Sequence, residues 1–256
     1  MDNHMFDYKP SANLLRDRVI LVTGAGTGIG RAVALAAAAH GATLVLMGRS
    51  QARLEQAYDA IEAAGHPRPA LVPLNLETAT VKDYEELAAT LDQEFGRLDG
   101  LLHNAGILGR LAPIDHYDPE TWLKVCQVNL NAPFLLTRAC LPLLRRPEQA
   151  SVLFTSAEVG RQGRAYWGAY AASLAGVEGL VEVLADELEN TAIRVNSIDP
   201  GPVRTGLREE AYPAEDPTQL PLPESIVGPY LYLLGPDGHG VHGQRLRAQR
   251  ETRTGG

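Results

Sequence analysis

The chain has two cysteines, three lysines (Lys9, Lys82 and Lys124) and no surplus of basic charge. Its formal net charge is −8 over 256 residues. Nucleic-acid binders carry a basic surplus, so no nucleic-acid partner is expected. The same acidity disfavours adhesion to anionic membrane surfaces. No apolar run approaches a membrane span, and Met1 to Pro10 are polar, with no signal-peptide core. Cys126 and Cys140 fall on one predicted helix, about 21 Å apart at 1.5 Å per residue. That is too far for a disulfide, and two reduced thiols point to a cytoplasmic protein.

What is present is ordinary for a globular protein: 45% hydrophobic and 21% charged residues. The length suffices for one large α/β domain. Apolar, β-rich runs at 19–23, 43–47, 70–74, 99–103, 151–155 and 194–198 read as strands, with 244–248 as a further short one. Helical patterns alternate with them: to His40, then 50–64 with Ser50 as N-cap, 81–95, 119–144, 165–190 and 224–234. Pro133 and Pro142 are expected to bend or interrupt the 119–144 helix. Apolar strands alternating with helices predict the α/β class: a single doubly wound parallel sheet with helices on both faces. Ligands in such sheets sit at the carboxyl ends of the strands. The expected organisation is an extension over 1–16, one domain over 17–248 and a tail over 249–256. Residues from Arg247 onward are expected to fray, with solvated arginines. Arg204 to Pro223 has no period and reads either as a flap over a site or as a surface loop.

The first predicted strand runs into Thr23-Gly24-Ala25-Gly26-Thr27-Gly28-Ile29-Gly30, which opens the first helix. Glycine lets backbone approach a pyrophosphate, and a helix N-terminus supplies N–H donors and partial positive charge. The glycines at 24, 28 and 30 are spaced differently from the Gly-x-Gly-x-x-Gly fingerprint. Their place between a strand and a helix still predicts a dinucleotide turn.

With this turn the chain resembles the short-chain dehydrogenase/reductase family, and further pieces follow in register over roughly 17–248. Asn104-Ala105-Gly106 is similar to the family's Asn-Ala-Gly motif after the fourth strand. Asn129 stands where the family keeps a structural and catalytic Asn. Tyr170-Ala171-Ala172-Ser173 is similar to its Tyr-x-x-Ser-Lys. Asp199-Pro200-Gly201 with Thr205 resembles the Asn-Pro-Gly-x-x-x-Thr segment that clasps the nicotinamide end. The resemblance implies a small-molecule substrate and pairing of subunits, as dimer or tetramer, through the 119–144 and 165–190 helices. It also implies cofactor contacts from Thr23, Gly24, Gly28, Ile29, Gly30, Asn75, Leu76, Asn104, Ala105, Gly106, Tyr170, Pro200, Gly201, Val203 and Thr205.

The end of the second strand distinguishes the two dinucleotides. An acidic residue there binds a free ribose hydroxyl, whereas an arginine pairs with a 2′-phosphate. Gly48-Arg49-Ser50 has no carboxylate, so Arg49 and Ser50 predict NADP(H). Asn75 replaces the Asp that usually faces the adenine, and its amide oxygen can still accept a hydrogen bond.

The family's proton-transfer site is incomplete. Tyr170 and Asn129 fill two roles, but the Lys position is Leu174 and the Ser position is Ala157. Ser156 is adjacent and is the candidate replacement, although it needs a local bulge to face the site. Lys124 lies around the helix from Asn129 and is a poor substitute for Lys. Arg161 and Arg164 follow the fifth strand and could reach inward. Without a cation, burial raises the Tyr170 pKa. The expectation is an impaired oxidoreductase biased to reduction; the alternative is a cofactor-binding or scaffold protein without catalysis. Elsewhere, His103 is expected to pack at its strand end and Asp99 to anchor the start of that strand. Trp167 is expected to line a substrate pocket or a subunit interface. His239 and His242 lack further ligands, so no metal site is expected.

Overall fold

In the computed structural model, which describes residues 5–250, one sheet of seven parallel strands carries the chain. The strands are β1 (Val19–Thr23), β2 (Thr43–Gly48), β3 (Ala70–Pro73), β4 (Gly100–His103), β5 (Ala150–Thr155), β6 (Ile193–Asp199) and β7 (Arg245–Arg247). Their order is β3-β2-β1-β4-β5-β6-β7. The helices are α1 (Gly28–Ala39), α2 (Gln51–Ala63), α3 (Val81–Phe95), α4 (Pro119–Cys126), α5 (Ala132–Leu144), α6 (Gly168–Leu188), α7 (Gly206–Ala211) and α8 (Val227–Leu234).

Alternation along the strands builds two cores. In β1, Val19 and Leu21 join the cluster that α3, α5 and α6 cover. Ile20 and Val22 face the opposite cluster, with α1, α2 and α8. A strand buried on both faces has no polar side to show, which is why it reads as an unbroken apolar run. At the foot of the sheet, Asp99 accepts from the Val19 N–H at 3.0 Å and pairs with Arg97, so it anchors β4 to β1.

Several boundaries differ from the sequence expectations. The 119–144 helix is interrupted by a wide π-type segment at Gln127–Asn131, not at the prolines. Pro133 falls in the first turn of α5, where a missing N–H costs little, and α5 continues through Pro142. Ser50 occupies the N-cap position of α2, yet its side chain makes no capping bond. Arg204 to Pro223 contains the short helix α7, which periodicity over so few residues could not reveal. α6, at 21 residues, is long and apolar enough to cross a membrane, contrary to the expectation of no such run; half of the relevant stretch is buried inside the fold.

The two ends of the chain are more engaged than expected. Met5, Leu14 and Leu15 are buried in the α1/α8 core. Beyond β7, the Ala248 N–H donates to the Asp199 carbonyl at 2.8 Å. Gln249 donates to the carbonyls of Pro200 and Pro202 at 2.7 and 2.8 Å, and Arg250 pairs with Asp7. The expected frayed tail is therefore corrected for residues 247–250; residues 251–256 lie outside the described residues.

Candidate functional site

The strand order reverses between β1 and β4, since β1 leads on to β2 on one side while β4 lies on the other. Such a switch point leaves a crevice at the carboxyl ends of the strands. A cleft of about 970 Å³ opens there.

Its floor is the glycine-rich turn. Gly24 and Gly28 have φ of 69° and 53°, in the region glycine favours. A Cβ on Gly30 would overlap the Gly24 carbonyl oxygen and stand 2.6 Å from Asn104 Nδ2. The turn is thus packed against Asn104 and has room for backbone only. Thr23 fixes the same junction: its hydroxyl accepts from the N–H groups of Asn104 and Ala105, both at 3.0 Å. Thr155 donates to Asn104 Oδ1 at 3.3 Å. Thr27 at the N-cap of α1 makes no side-chain cap, and the first turn holds no acidic residue. The uncapped N–H donors and the absence of a competing carboxylate fit a pyrophosphate.

At the β2 end, Arg49, Ser50, Arg53 and Arg31 line the cleft. Arg53 packs over the turn, with its Cβ 3.0 Å from where a Gly26 Cβ would be. It supplies a second cation that the motif at 48–50 did not reveal. Asn75 Oδ1 accepts from the Glu77 N–H at 3.1 Å, which leaves its second lone pair free. Leu76 is buried beside it.

The other end holds Tyr170 and Asn129. Asn129 lies in the π-type segment, a kind of irregularity that gathers at functional sites. Its Oδ1 accepts from the Ile107 N–H at 2.9 Å; its Nδ2 donates to the Ile107 carbonyl at 3.0 Å and to Ser173 Oγ at 3.1 Å. The amide therefore clamps the loop after Gly106 to α6. Tyr170, Ser156, Ala157, Leu174 and Asp199 all line the cleft. Burial, and then the Asp199 carboxylate, push the Tyr170 hydroxyl up to about 12. Leu174 packs with Val159, Ala171, Ala157, Trp167 and Tyr170 in an apolar cluster. Ser156 has its hydroxyl buried without a partner, while its N–H holds the Ile198 carbonyl at 2.8 Å.

Among the described residues, no arginine or lysine offsets the rise at Tyr170, whose causes are burial and Asp199. Lys124 pairs with Glu77 at 3.4 Å. Arg161 does turn inward, but toward the Leu246 carbonyl at 3.1 Å and Glu178 at 3.6 Å. Arg164 lines the cleft and donates to the Tyr212 hydroxyl at 3.3 Å.

From the 204–223 segment, Thr205 to Arg208 and Glu210 to Tyr212 line this end. Thr205 caps α7 by accepting from the Arg208 N–H at 3.2 Å, and its Cγ2 lies 3.4 Å from where a Gly28 Cβ would be. Arg208 forms a two-point pair with Glu215 and stacks over Tyr212 at 3.8 Å. The Trp167 ring lies 5.8 Å from both Tyr170 and Tyr212, so it belongs to the cleft wall. Gly201, at φ 70°, donates to Asp199 Oδ1 at 2.9 Å; Pro200 and Val203 line the cleft beside it.

His103 and His242 both have partners inside the fold. His103 is buried, stacks on Phe154 at 4.6 Å and contacts Thr137 Oγ1 at 2.7 Å; burial pulls it down to about 3. His242 accepts from the Val195 N–H on one ring nitrogen and meets the Ala185 carbonyl on the other, so both are spent on the backbone.

With the sheet order, the glycine cradle and the Tyr170 end in place, known proteins supply the class. The family profile for short chain dehydrogenase matches residues 18–216. The chain belongs to the short chain dehydrogenase family. It is 46% identical to the oxidoreductase YciK of Escherichia coli K12 over 242 residues, which is 94% of this chain and 96% of that protein. It superposes on a short chain dehydrogenase structure from Pseudomonas syringae with a TM-score of 0.94 at 56% identity, covering 96% of this chain and 100% of the other. A third relative, from Escherichia coli CFT073 and complexed with NADPH, has a TM-score of 0.92 at 47% identity, covering 94% and 100%.

Proposed function

We propose that this chain is an NADP(H)-binding oxidoreductase acting on a carbonyl or alcohol of a small molecule, with catalysis impaired and biased to reduction. The observation that carries this reading is the contrast between the two ends of one cleft. The dinucleotide end has its glycine cradle, uncapped helix N-terminus and arginines. The proton-transfer end has a buried Tyr170 with Leu174 in place of the cation.

In this reading, Thr23, Gly24, Gly28, Ile29 and Gly30 hold the pyrophosphate, and Arg49, Ser50 and Arg53 hold the 2′-phosphate. Asn75 and Leu76 border the adenine, Asn104 to Gly106 the central ribose region, and Pro200, Gly201, Val203 and Thr205 the nicotinamide. The reduced nicotinamide, when bound, supplies a hydride. Tyr170 then serves as the acid that protonates the carbonyl oxygen, for which its protonated state is correct. Alcohol oxidation needs the tyrosinate, and nothing here favours that form. Ser156 is the hydroxyl next in the chain to Ala157 and lines the same cleft, and Asn129 keeps the wall of the site in place. NADPH bound by a relative of 47% identity supports the cofactor choice.

Unpaired thiols at Cys126 and Cys140 support a cytoplasmic protein. Exposed Leu123, Phe134 and Val183 on α4, α5 and α6 support self-association. A second reading, cofactor binding without catalysis, is favoured by the apolar packing around Leu174. Titration of nicotinamide fluorescence with NADPH and NADH tests the cofactor; tighter NADPH is expected, and binding of neither would refute the proposal. Turnover of small ketones and quinones by the same sample separates the two readings.

A further inference from the structure

This inference rests on the reading of the cleft as an NADP(H) site and concerns the charge at its nicotinamide end. The segment that resembles the family's Asn-Pro-Gly is Asp199-Pro200-Gly201 here, and its carboxylate ends β6 at the cleft. The register between β6 and α6 sets that carboxylate beside Leu174. Ser197 Oγ donates to the Glu178 carboxylate at 2.8 Å, which fixes one rung. α6 connects the parallel strands β5 and β6 and so runs against them. Two residues up β6, about 6.6 Å along the same sheet face, is Asp199. Four residues back along α6, about 6 Å along the same helix face, is Leu174. Asp199 therefore stands level with Leu174, and both line the cleft.

Burial raises the Asp199 carboxyl above its ordinary range; the Gly201 N–H, Arg161 and Arg247 act against that rise, and Glu158 adds to it. Tyr170 and Tyr230 are the titratable hydroxyls that face the carboxylate. Of the two arginines, neither lines the cleft. Arg161 is engaged by Glu178 and the Leu246 carbonyl. This end of the cleft thus sets the Asp199 carboxylate beside an apolar Leu174. The ligand it would take carries a charge that differs at that end between its two states. The nicotinamide ring is cationic when oxidised and neutral when reduced.

We propose that Asp199 selects the oxidised cofactor, its carboxylate attracting the positive ring of NADP⁺, so that NADP⁺ binds more tightly relative to NADPH than an amide at this position allows. The attraction also favours hydride donation over hydride acceptance, in the direction already assigned to Tyr170.

Calorimetric affinities for NADP⁺ and NADPH, measured on the wild type and on Asp199→Asn, test this. Asn keeps an oxygen for the Gly201 N–H, and thermal unfolding checks that the fold persists. One charge acting across several ångströms of partly screened interior is worth on the order of tenfold in affinity. Asp199→Asn is expected to weaken NADP⁺ by about that factor while NADPH changes little. Leu174→Lys, which leaves Asp199 in place and sets a cation beside it, is expected to move the ratio the same way. Equal weakening of both forms, or no change in the ratio in either variant, would overturn the inference while leaving the cofactor assignment intact. Failure of the wild type to bind either form would overturn both.

Discussion

A Cβ added to Gly160 would stand 2.7 Å from the Cβ of Leu174 and 3.1 Å from its carbonyl carbon. The turn after β5 is thus pressed against α6 at Leu174. Gly160→Ala should destabilise the protein by about 1–3 kcal/mol, the usual cost of overpacking a filled site. Gly163→Ala, with nothing within 4 Å of its Cβ, is the control and should be near neutral. Urea unfolding of both variants measures the difference.

Arg49 and Arg53 line the same end of the cleft. Each Arg→Ala substitution should weaken NADPH by about tenfold, as expected for loss of a charge-assisted hydrogen bond, and leave NADH nearly unchanged. Fluorescence titrations with both dinucleotides give the two constants. Equal losses for both cofactors would place these arginines away from the 2′-phosphate.

The sheet, its order-reversal point and the glycine turn were legible because buried parallel strands and backbone-only turns leave strong local patterns. Arg53 was not, because it reaches the cleft by folding over Gly26 from a helix that reads as polar-faced. α7 was missed since six residues carry less than two turns of period. The break in the 119–144 helix was assigned to its prolines, whereas Asn129 and its neighbours widen the helix one turn earlier. An apolar residue four positions after Tyr170, Leu174, is plain in the sequence. Its seat in an apolar cluster, and the inward Arg161 that pairs with Glu178 instead of serving Tyr170, needed the fold.

His103 is neutral in the folded protein and held down to about 3 by burial. The unfolded chain takes up a proton near pH 6.5 that the folded chain refuses, so stability is complete above that pH and falls as pH drops toward 3. The contribution lost by pH 5 is about 2 kcal/mol. Denaturant unfolding between pH 7 and 5 should show this slope, and His103→Gln should remove it. An unchanged slope would mean that other groups dominate.

Restoring Ala157→Ser together with Leu174→Lys should raise single-turnover oxidation of NADPH by carbonyl substrates by about 100-fold or more. NADPH affinity should stay within a few-fold, since neither change touches the glycine turn. A revertant no faster than the wild type would show that catalysis does not depend on the missing pair.

The most direct test needs no substrate. The wild type, labelled at the tyrosine ring carbon bearing oxygen, is titrated by NMR from pH 6 to 10, with Tyr170→Phe assigning the Tyr170 signal. The account predicts no ionisation of Tyr170 over this range, consistent with its hydroxyl pushed up to about 12. A Tyr170 midpoint below pH 9 would contradict it, because a cation would then be stabilising the tyrosinate.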